Sequence, residues 1–136
     1  MIILIINAVW FKLFGLPCRS DIHQALVRVA RGAAVAREIS SGRAEKAILI
    51  CGTGIGMSIT ANKFPRVRAT LCHDEFTAAA CREHNDSNIL VMGARVLTMD
   101  MMKKIVDIWL ATEFGGGRHQ TRLDLISDIE KEVGMQ

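Results

Sequence analysis

The sequence lacks the residue spacings that bind metal ions. Its four cysteines contain no CxxC pair and its four histidines contain no HxxxH pair. Zinc sites in proteins use closely spaced ligands of these kinds. The sequence therefore predicts a protein that works without a metal ion or other cofactor.

Clusters of basic residues are also missing. The net charge is only +3, aromatic residues make up 5% of the chain, and no run of lysines or arginines occurs. Nucleic-acid-binding proteins concentrate their positive charge on one face. We expect no nucleic-acid partner, and a few arginines near one site would suit a small anion better.

We expect the start of the chain to be neither a leader nor a membrane anchor. Its most hydrophobic stretch, Met1 to Leu16, lacks a basic start, contains Lys12 and shows no small-residue cleavage site before Pro17. It is also shorter than the roughly 20 residues of a membrane helix. We expect a buried strand at Ile2–Ile6, then an apolar turn or short helix, in a cytoplasmic protein without membrane contact.

What is present suits a packed α/β domain. The 136 residues are 50% hydrophobic and 23% charged, which is typical of one globular domain spanning 1–136. Short, wholly apolar runs alternate with amphipathic segments, as in a parallel sheet covered on both faces. The predicted fold is a three-layer Rossmann-like parallel sheet flanked by helices. Strands are predicted at Ile2–Ile6, Ala47–Ile50, Val67–Cys72 and Ile89–Met92, and helices after caps at Ser20 or Asp21, Asp74 and Thr98, over Met57–Lys63 and over His119–Glu132.

A glycine loop follows the second of these strands. Cys51 ends the strand, and Gly52, Gly54 and Gly56 come next at alternate positions. This spacing is neither the dinucleotide GxGxxG motif nor a P-loop. Alternate glycines let backbone N–H groups point into one concavity ahead of a helix, where negative charge is favoured. The loop is predicted to hold a developing oxyanion and to favour the thiolate of Cys51.

Cys51 could act as a base or as a nucleophile, or it could be a small buried hydrophobic residue at a strand end. Cysteine phosphatases need an arginine soon after the cysteine, and none occurs up to Ala61. A cysteine-phosphatase function is therefore excluded. Cys72 and Cys81 fall inside a predicted strand and helix, where core packing explains them better.

Three other residues are candidates for ligand binding. His84 lies where a helix ends in a polar turn, which exposes its imidazole either to solvent or to a site. Arg118 and Arg122 are four residues apart, so they share one helix face after a triple glycine. That face is either solvated or able to clamp a phosphate.

Together these motifs resemble the ribose-5-phosphate isomerase B family of small sugar-phosphate isomerases. The resemblance runs from Val35 to Glu130, and its motifs occur in the family's order and spacing. They are Ile50–Ile59 with Ala61-Asn62-Lys63, His84–Asn88, Gly93-Ala94-Arg95-Val96 and Glu113–His119.

The resemblance implies a metal-free aldose–ketose isomerisation of ribose 5-phosphate to ribulose 5-phosphate through an enediolate. Cys51 would be the base. In a related branch of the family the cysteine is absent and a glutamate at the position of Met57 takes over its role, whereas this chain has both Cys51 and Met57. Thr53 and His84 would assist ring opening. Asn85 would bind sugar hydroxyls.

The resemblance also implies how the substrate's charges are held. Backbone amides of Gly52, Gly54, Gly56 and Ser58 would bind the enediolate oxygen. Family members are homodimers or larger, with sites built from two subunits, so the phosphate-binding arginines and His84 would serve a neighbour's Cys51. Those arginines are Arg95, Arg118 and Arg122.

The beginning of the chain departs from the family. Family members have Asp-His-Ala-Gly after the first strand, whereas this chain reads Ile5-Ile6-Asn7-Ala8-Val9, so residues 1–20 form an atypical segment. Asn7 or His23 could substitute for the missing pair. Three alternatives stay open: an isomerase for allose, galactose or tetrose phosphates, a silent subunit that pairs with a complete paralogue, and a phosphosugar-binding regulator without turnover.

Overall fold

A computed structural model describes residues 2–6 and 21–134, with side chains from residue 29 onward. Asn7, Cys18 and Ser20 lie outside the described residues, and so does the side chain of His23. Four strands alternate with five helices in this part of the chain. The elements are β1 (Ile2–Ile6), α1 (Asp21–Ser40), β2 (Lys46–Cys51), α2 (Ile55–Ala61), β3 (Ala69–Leu71), α3 (Glu75–Asn85), β4 (Ile89–Gly93), α4 (Met99–Ala111) and α5 (Arg118–Glu132).

The strands form one parallel sheet in the order β1-β2-β4-β3. The register pairs Cys51, the last residue of β2, with Gly93, the last residue of β4. The carboxyl ends of the two strands therefore lie side by side, and this end of the strands is called the carboxyl edge of the sheet. Ligands bind at this edge in this class of fold.

Alternate residues of the strands build two separate cores. In β2, Leu49 and Cys51 pack with α1 and α2, whereas Ile48 and Ile50 pack with α3 and α4. Since successive strand residues face opposite sides, a wholly apolar strand requires helices on both faces. The predicted three-layer Rossmann-like fold is confirmed.

Two predicted helix caps are confirmed. The Asp74 side chain accepts a hydrogen bond from the backbone N–H of Thr77, and the hydroxyl of Thr98 accepts one from that of Met101. Both caps satisfy N–H groups that have no partner within the helix. The limits of α3 and α4 therefore follow from local sequence.

The strand predicted at Val67–Cys72 is shorter in the structure, where β3 contains only three residues. The side chain of Asn62 donates to the backbone carbonyl of Ala69 and accepts from its N–H, both at 2.8 Å. A side-chain amide thus satisfies this edge strand where no further strand pairs with it.

Two helices are less buried than their apolar periodicity predicts. In α1, Val29 falls at helical spacing with other apolar residues but is 54% exposed. In α5, Leu123, Ile126 and Ile129 share one face by spacing, but only Leu123 is buried. Helix α5 contacts α3 near its own start, where the ring of His119 stacks on that of His84. Within residues 2–6 and 21–134, no helix combines the length and apolarity that crossing a membrane requires.

Candidate functional site

An open cavity of about 260 Å³ lies at the carboxyl end of β2. Five of the predicted site residues line it, together with two apolar residues that were not predicted to take part. The predicted ones are Cys51, Gly52, Thr53, Gly56 and Arg95, and the others are Val29 and Met57. Cys51 and part of the glycine loop thus line one cavity.

The backbone around Cys51 directs a hydrogen bond at its sulfur. The N–H of Gly54 donates to the Cys51 Sγ over 3.2 Å. Gly54 has a φ of 82°, a left-handed conformation that glycine adopts without a steric penalty. This turn therefore places a backbone N–H donor against the thiol of Cys51.

The end of β4 passes unusually close to this loop. A Cβ atom on Gly93 would lie 2.7 Å from both the carbonyl carbon and the carbonyl oxygen of Thr53. Real Cβ atoms do not approach backbone this closely, so only glycine lets β4 support the loop. The position of Thr53 therefore depends on a residue outside the loop's own sequence.

We expect Gly93→Ala to displace the loop at Thr53 and to lower the free energy of unfolding by about 1–3 kcal/mol, the usual cost of an overpacked site. Urea denaturation measures the change. The matched control is Gly56→Ala, because a Cβ on Gly56 meets no atom within 4 Å. Equal stability of the two variants would contradict the close approach.

Arg95 lies beside the loop of its own chain. Its backbone N–H donates to the Gly52 carbonyl over 2.8 Å, and its side chain covers Gly52, where an added Cβ would lie 3.4 Å from the Arg95 Nε. Arg95 lies two residues after the end of β4, which explains its place at the same sheet edge as Cys51. The expectation that Arg95 faces a neighbour's Cys51 therefore differs from its position in this structure.

Some backbone amides of the loop already have partners within the chain. The Gly54 N–H binds the Cys51 sulfur, and the Ser58 N–H donates to the Gly54 carbonyl over 3.0 Å. The Ser58 hydroxyl points towards β3, where it donates to the Ala69 carbonyl over 3.4 Å. Neither Gly54 nor Ser58 lines the cavity, which leaves Gly52, Thr53 and Gly56 as its loop surface.

A second group of predicted residues surrounds a pair of histidines. The rings of His84 and His119 stack with centroids 4.4 Å apart and planes 11° from parallel. Burial lowers the pKa of the His119 imidazole below its usual value, and the positive charges of His84, Arg118 and Arg122 lower it further. His119 was not predicted as a site residue. Its ring fixes the start of α5, and with it Arg118, against the end of α3.

The two groups lie at opposite ends of the strands: one at the carboxyl edge of the sheet and the other at its amino edge. Cys51 is level with Gly93 at the end of β4, whereas His84 belongs to the last turn of α3, which leads into the start of β4 at Ile89. The five residues of β4 separate these edges by about 13 Å. His84, Asn85, Arg118 and Arg122 accordingly do not line the cavity at Cys51.

The polar turn after α3 contains residues with a structural role that the motif alone did not reveal. Asp86 accepts hydrogen bonds from Arg68 and from the buried Arg82, each at 2.7 Å. Ser87 donates to the Arg68 carbonyl over 3.0 Å, and Asn88 accepts from the Arg68 N–H over 2.8 Å. These bonds hold the turn to β3. The side chains of His84 and Asn85 take no part in these bonds and are partly or largely exposed.

The part of the chain that the structure describes contains no cluster of three histidine, cysteine or acidic side chains that could hold a metal ion. The groups available in the cavity are the Cys51 thiol, loop amides, the Thr53 hydroxyl and the Arg95 guanidinium. They can move a proton and bind anionic oxygens.

The known proteins that this chain resembles include sugar-phosphate isomerases. The family model for ribose/galactose isomerase matches residues 20–126. Ribose-5-phosphate isomerase B of Escherichia coli is 46% identical over 97 residues, and D-erythrulose-4-phosphate isomerase of Pectobacterium atrosepticum is 39% identical over 98 residues. The matched segments cover 71% and 72% of this chain, respectively, and 65% and 64% of those proteins, so they span just under two thirds of each relative.

A solved structure extends the likeness to the fold. Ribose-5-phosphate isomerase B of Mycoplasma genitalium, with bound ribulose-5-phosphate, superposes with a TM-score of 0.78 at 30% identity. The superposition covers 96% of this chain and 95% of that one. The family model alone covers most of the sequence, and the glycine loop with its cysteine falls inside the matched range. The chain therefore belongs to the ribose/galactose isomerase family.

Proposed function

We propose that the protein is an aldose–ketose isomerase that interconverts ribose 5-phosphate and ribulose 5-phosphate in the cytoplasm. The observation that supports this most is the Cys51 thiol in an open cavity, with the Gly54 N–H directed at its sulfur. Isomerisation needs one positioned base and fixed donors for an oxyanion, without a cofactor. The cavity contains groups for both tasks.

In the proposed reaction, the Cys51 thiolate removes the proton from C2 of the opened aldose. The electrons of the broken C–H bond form the enediolate, whose negative charge is spread over the oxygens at C1 and C2. The hydroxyl proton moves from the oxygen at C2 to the oxygen at C1, and the Cys51 thiol returns its proton to C1, which gives the ketose and regenerates the thiolate. Thr53, whose backbone contacts β4, would assist ring opening from the same cavity.

The substrate phosphate would be held by arginines, with the remaining groups of the site supplied by a second copy of the chain. Arg95 lies with Cys51, but His84, Asn85, Arg118 and Arg122 lie at the other edge of the sheet. One protomer cannot bring both edges to one sugar phosphate. In a homodimer, or in a tetramer of such dimers, the carboxyl edge of one protomer would face the amino edge of the other. Each site would then be completed by residues from two protomers.

The purified full-length protein should convert ribose 5-phosphate to a ketopentose phosphate in a coupled assay. Allose 6-phosphate, galactose 6-phosphate and a tetrose phosphate serve as competing substrates, and we expect ribose 5-phosphate to give the highest kcat/KM. Faster turnover of another sugar phosphate would support the proposed reaction but would show that ribose 5-phosphate is not the preferred substrate. Absence of turnover with every sugar, from a folded dimer, would contradict the proposal.

A second candidate function is a silent subunit that pairs with a complete paralogue. It is supported by the residues after β1, Asn7-Ala8-Val9, where the family has an Asp-His pair. Mixing the chain with a complete ribose-5-phosphate isomerase B separates the two functions. A silent subunit would be inactive alone and would copurify with the complete subunit.

A further inference from the structure

Two cysteines outside the proposed active site lie side by side in the core between the sheet and α3. Cys72 directly follows β3 and is 0% exposed, and Cys81 lies in the second turn of α3 and is 5% exposed. Their sulfur atoms are 3.7 Å apart. Packing alone explains two buried thiols, but the short contact between them brings a specific chemistry into reach.

The two thiols are not equivalent. The hydrogen bond between the two thiols lowers the pKa of Cys81, and the same contact together with burial raises the pKa of Cys72. Cys81 also lies near the guanidinium of Arg82, which favours its thiolate. A thiolate with a protonated thiol beside it is the arrangement in which one sulfur attacks an oxidant and the other resolves the product.

We propose that Cys72 and Cys81 form a modification site for small peroxides, which convert the pair into a reversible disulfide. The Cys81 thiolate attacks one peroxide oxygen, the O–O bond breaks, and the leaving hydroxide takes a proton to become water. The sulfur of Cys72 then attacks the Cys81 sulfenic acid, loses its own proton, and displaces a second water. The two sulfurs are oxidised by two electrons in total, and the peroxide is reduced to two water molecules.

The geometry allows this bond with a small movement. A disulfide has an S–S distance of about 2.05 Å, so the sulfurs must approach each other by about 1.6 Å. Cys72 is held by its backbone N–H, which donates to the Val91 carbonyl over 3.0 Å. Rotation of the two side chains, with a slight shift of α3, supplies the approach. Hydrogen peroxide is small and uncharged, which suits a buried target.

Peptide mapping tests the proposal directly and does not depend on isomerase activity. Intact folded protein is treated with stoichiometric hydrogen peroxide, denatured, alkylated with iodoacetamide and digested with trypsin. Cleavage after Arg68 and Arg82 places both cysteines in the peptide Ala69–Arg82. We expect most of this peptide to be two hydrogen atoms lighter and unalkylated. Treatment with a thiol reductant should return it to the doubly alkylated form.

Single variants separate the proposal from general oxidation. In Cys72→Ser the sulfenic acid at Cys81 should persist and react with dimedone, whereas Cys51→Ser should leave the disulfide unchanged. Circular dichroism confirms that each variant is folded. A doubly alkylated peptide after peroxide, or sulfinic acid at Cys81 with no disulfide in the intact protein, would overturn the proposal.

Discussion

Cys51→Ala should lower kcat for ribose 5-phosphate by about 10³-fold, since a positioned general base contributes roughly 10²–10⁴-fold to proton transfer. The cavity and Arg95 remain in the variant, so KM should change little. A loss confined to kcat is typical of an interaction made only in the transition state. Steady-state kinetics in the coupled assay measure both constants.

Two further variants show whether the effect arises from the base itself. Cys51→Ser keeps an acceptor for the Gly54 N–H, which lies 3.2 Å from the sulfur, but a serine hydroxyl does not ionise near neutral pH. It should be nearly as inactive as Cys51→Ala. Cys81→Ala removes another buried cysteine, remote from the cavity, and should retain wild-type turnover. Wild-type kcat in Cys51→Ala would rule out this cysteine as the base.

Two inactive variants, Cys51→Ala and Arg118→Ala, should restore activity when their subunits are exchanged. With random pairing, half of the dimers are mixed, and each mixed dimer has one site with both defects and one with neither. About one quarter of wild-type activity is therefore expected, as the symmetry of an isologous dimer requires. The prediction follows from the opposite sheet edges on which Cys51 and the start of α5 lie.

The matched control uses two defects from the same half of the site. Cys51 and Arg95 line one cavity, so every site in a Cys51→Ala and Arg95→Ala mixture keeps one defect. This mixture should stay inactive. Subunit exchange is verified by mass spectrometry of the intact dimers. If exchanged dimers of Cys51→Ala with Arg118→Ala show no recovery, each site belongs to a single protomer and the composite arrangement is wrong.

Much of the fold was predictable because its signals are local. Apolar runs of strand length and caps such as Asp74 and Thr98 depend on neighbours within a few residues, and both caps occur where expected. Burial was less predictable. Ile126 and Ile129 continue the apolar face of α5 but are exposed, because burial requires a second surface that a helix's own sequence does not specify.

The candidate site was predictable in part for the same reason. Gly52, Thr53 and Gly56 are close to Cys51 in sequence, and the loop they form needs only its own backbone conformation and a strand before it. The close support by Gly93, the stacking of His119 on His84 and the bond of Asp86 to Arg68 join distant segments. No local pattern encodes these contacts.

The sequence by itself determined a parallel α/β chain with a cysteine and a glycine loop at a strand end, because strand periodicity and turn chemistry act over a few residues. Only the tertiary structure decided which predicted residues share an edge of the sheet. Arg95 joins Cys51 because it follows the neighbouring strand, and His84 and Arg118 do not, because α3 returns the chain to the opposite edge. The contact of Cys72 with Cys81 likewise arises only when α3 packs on the sheet.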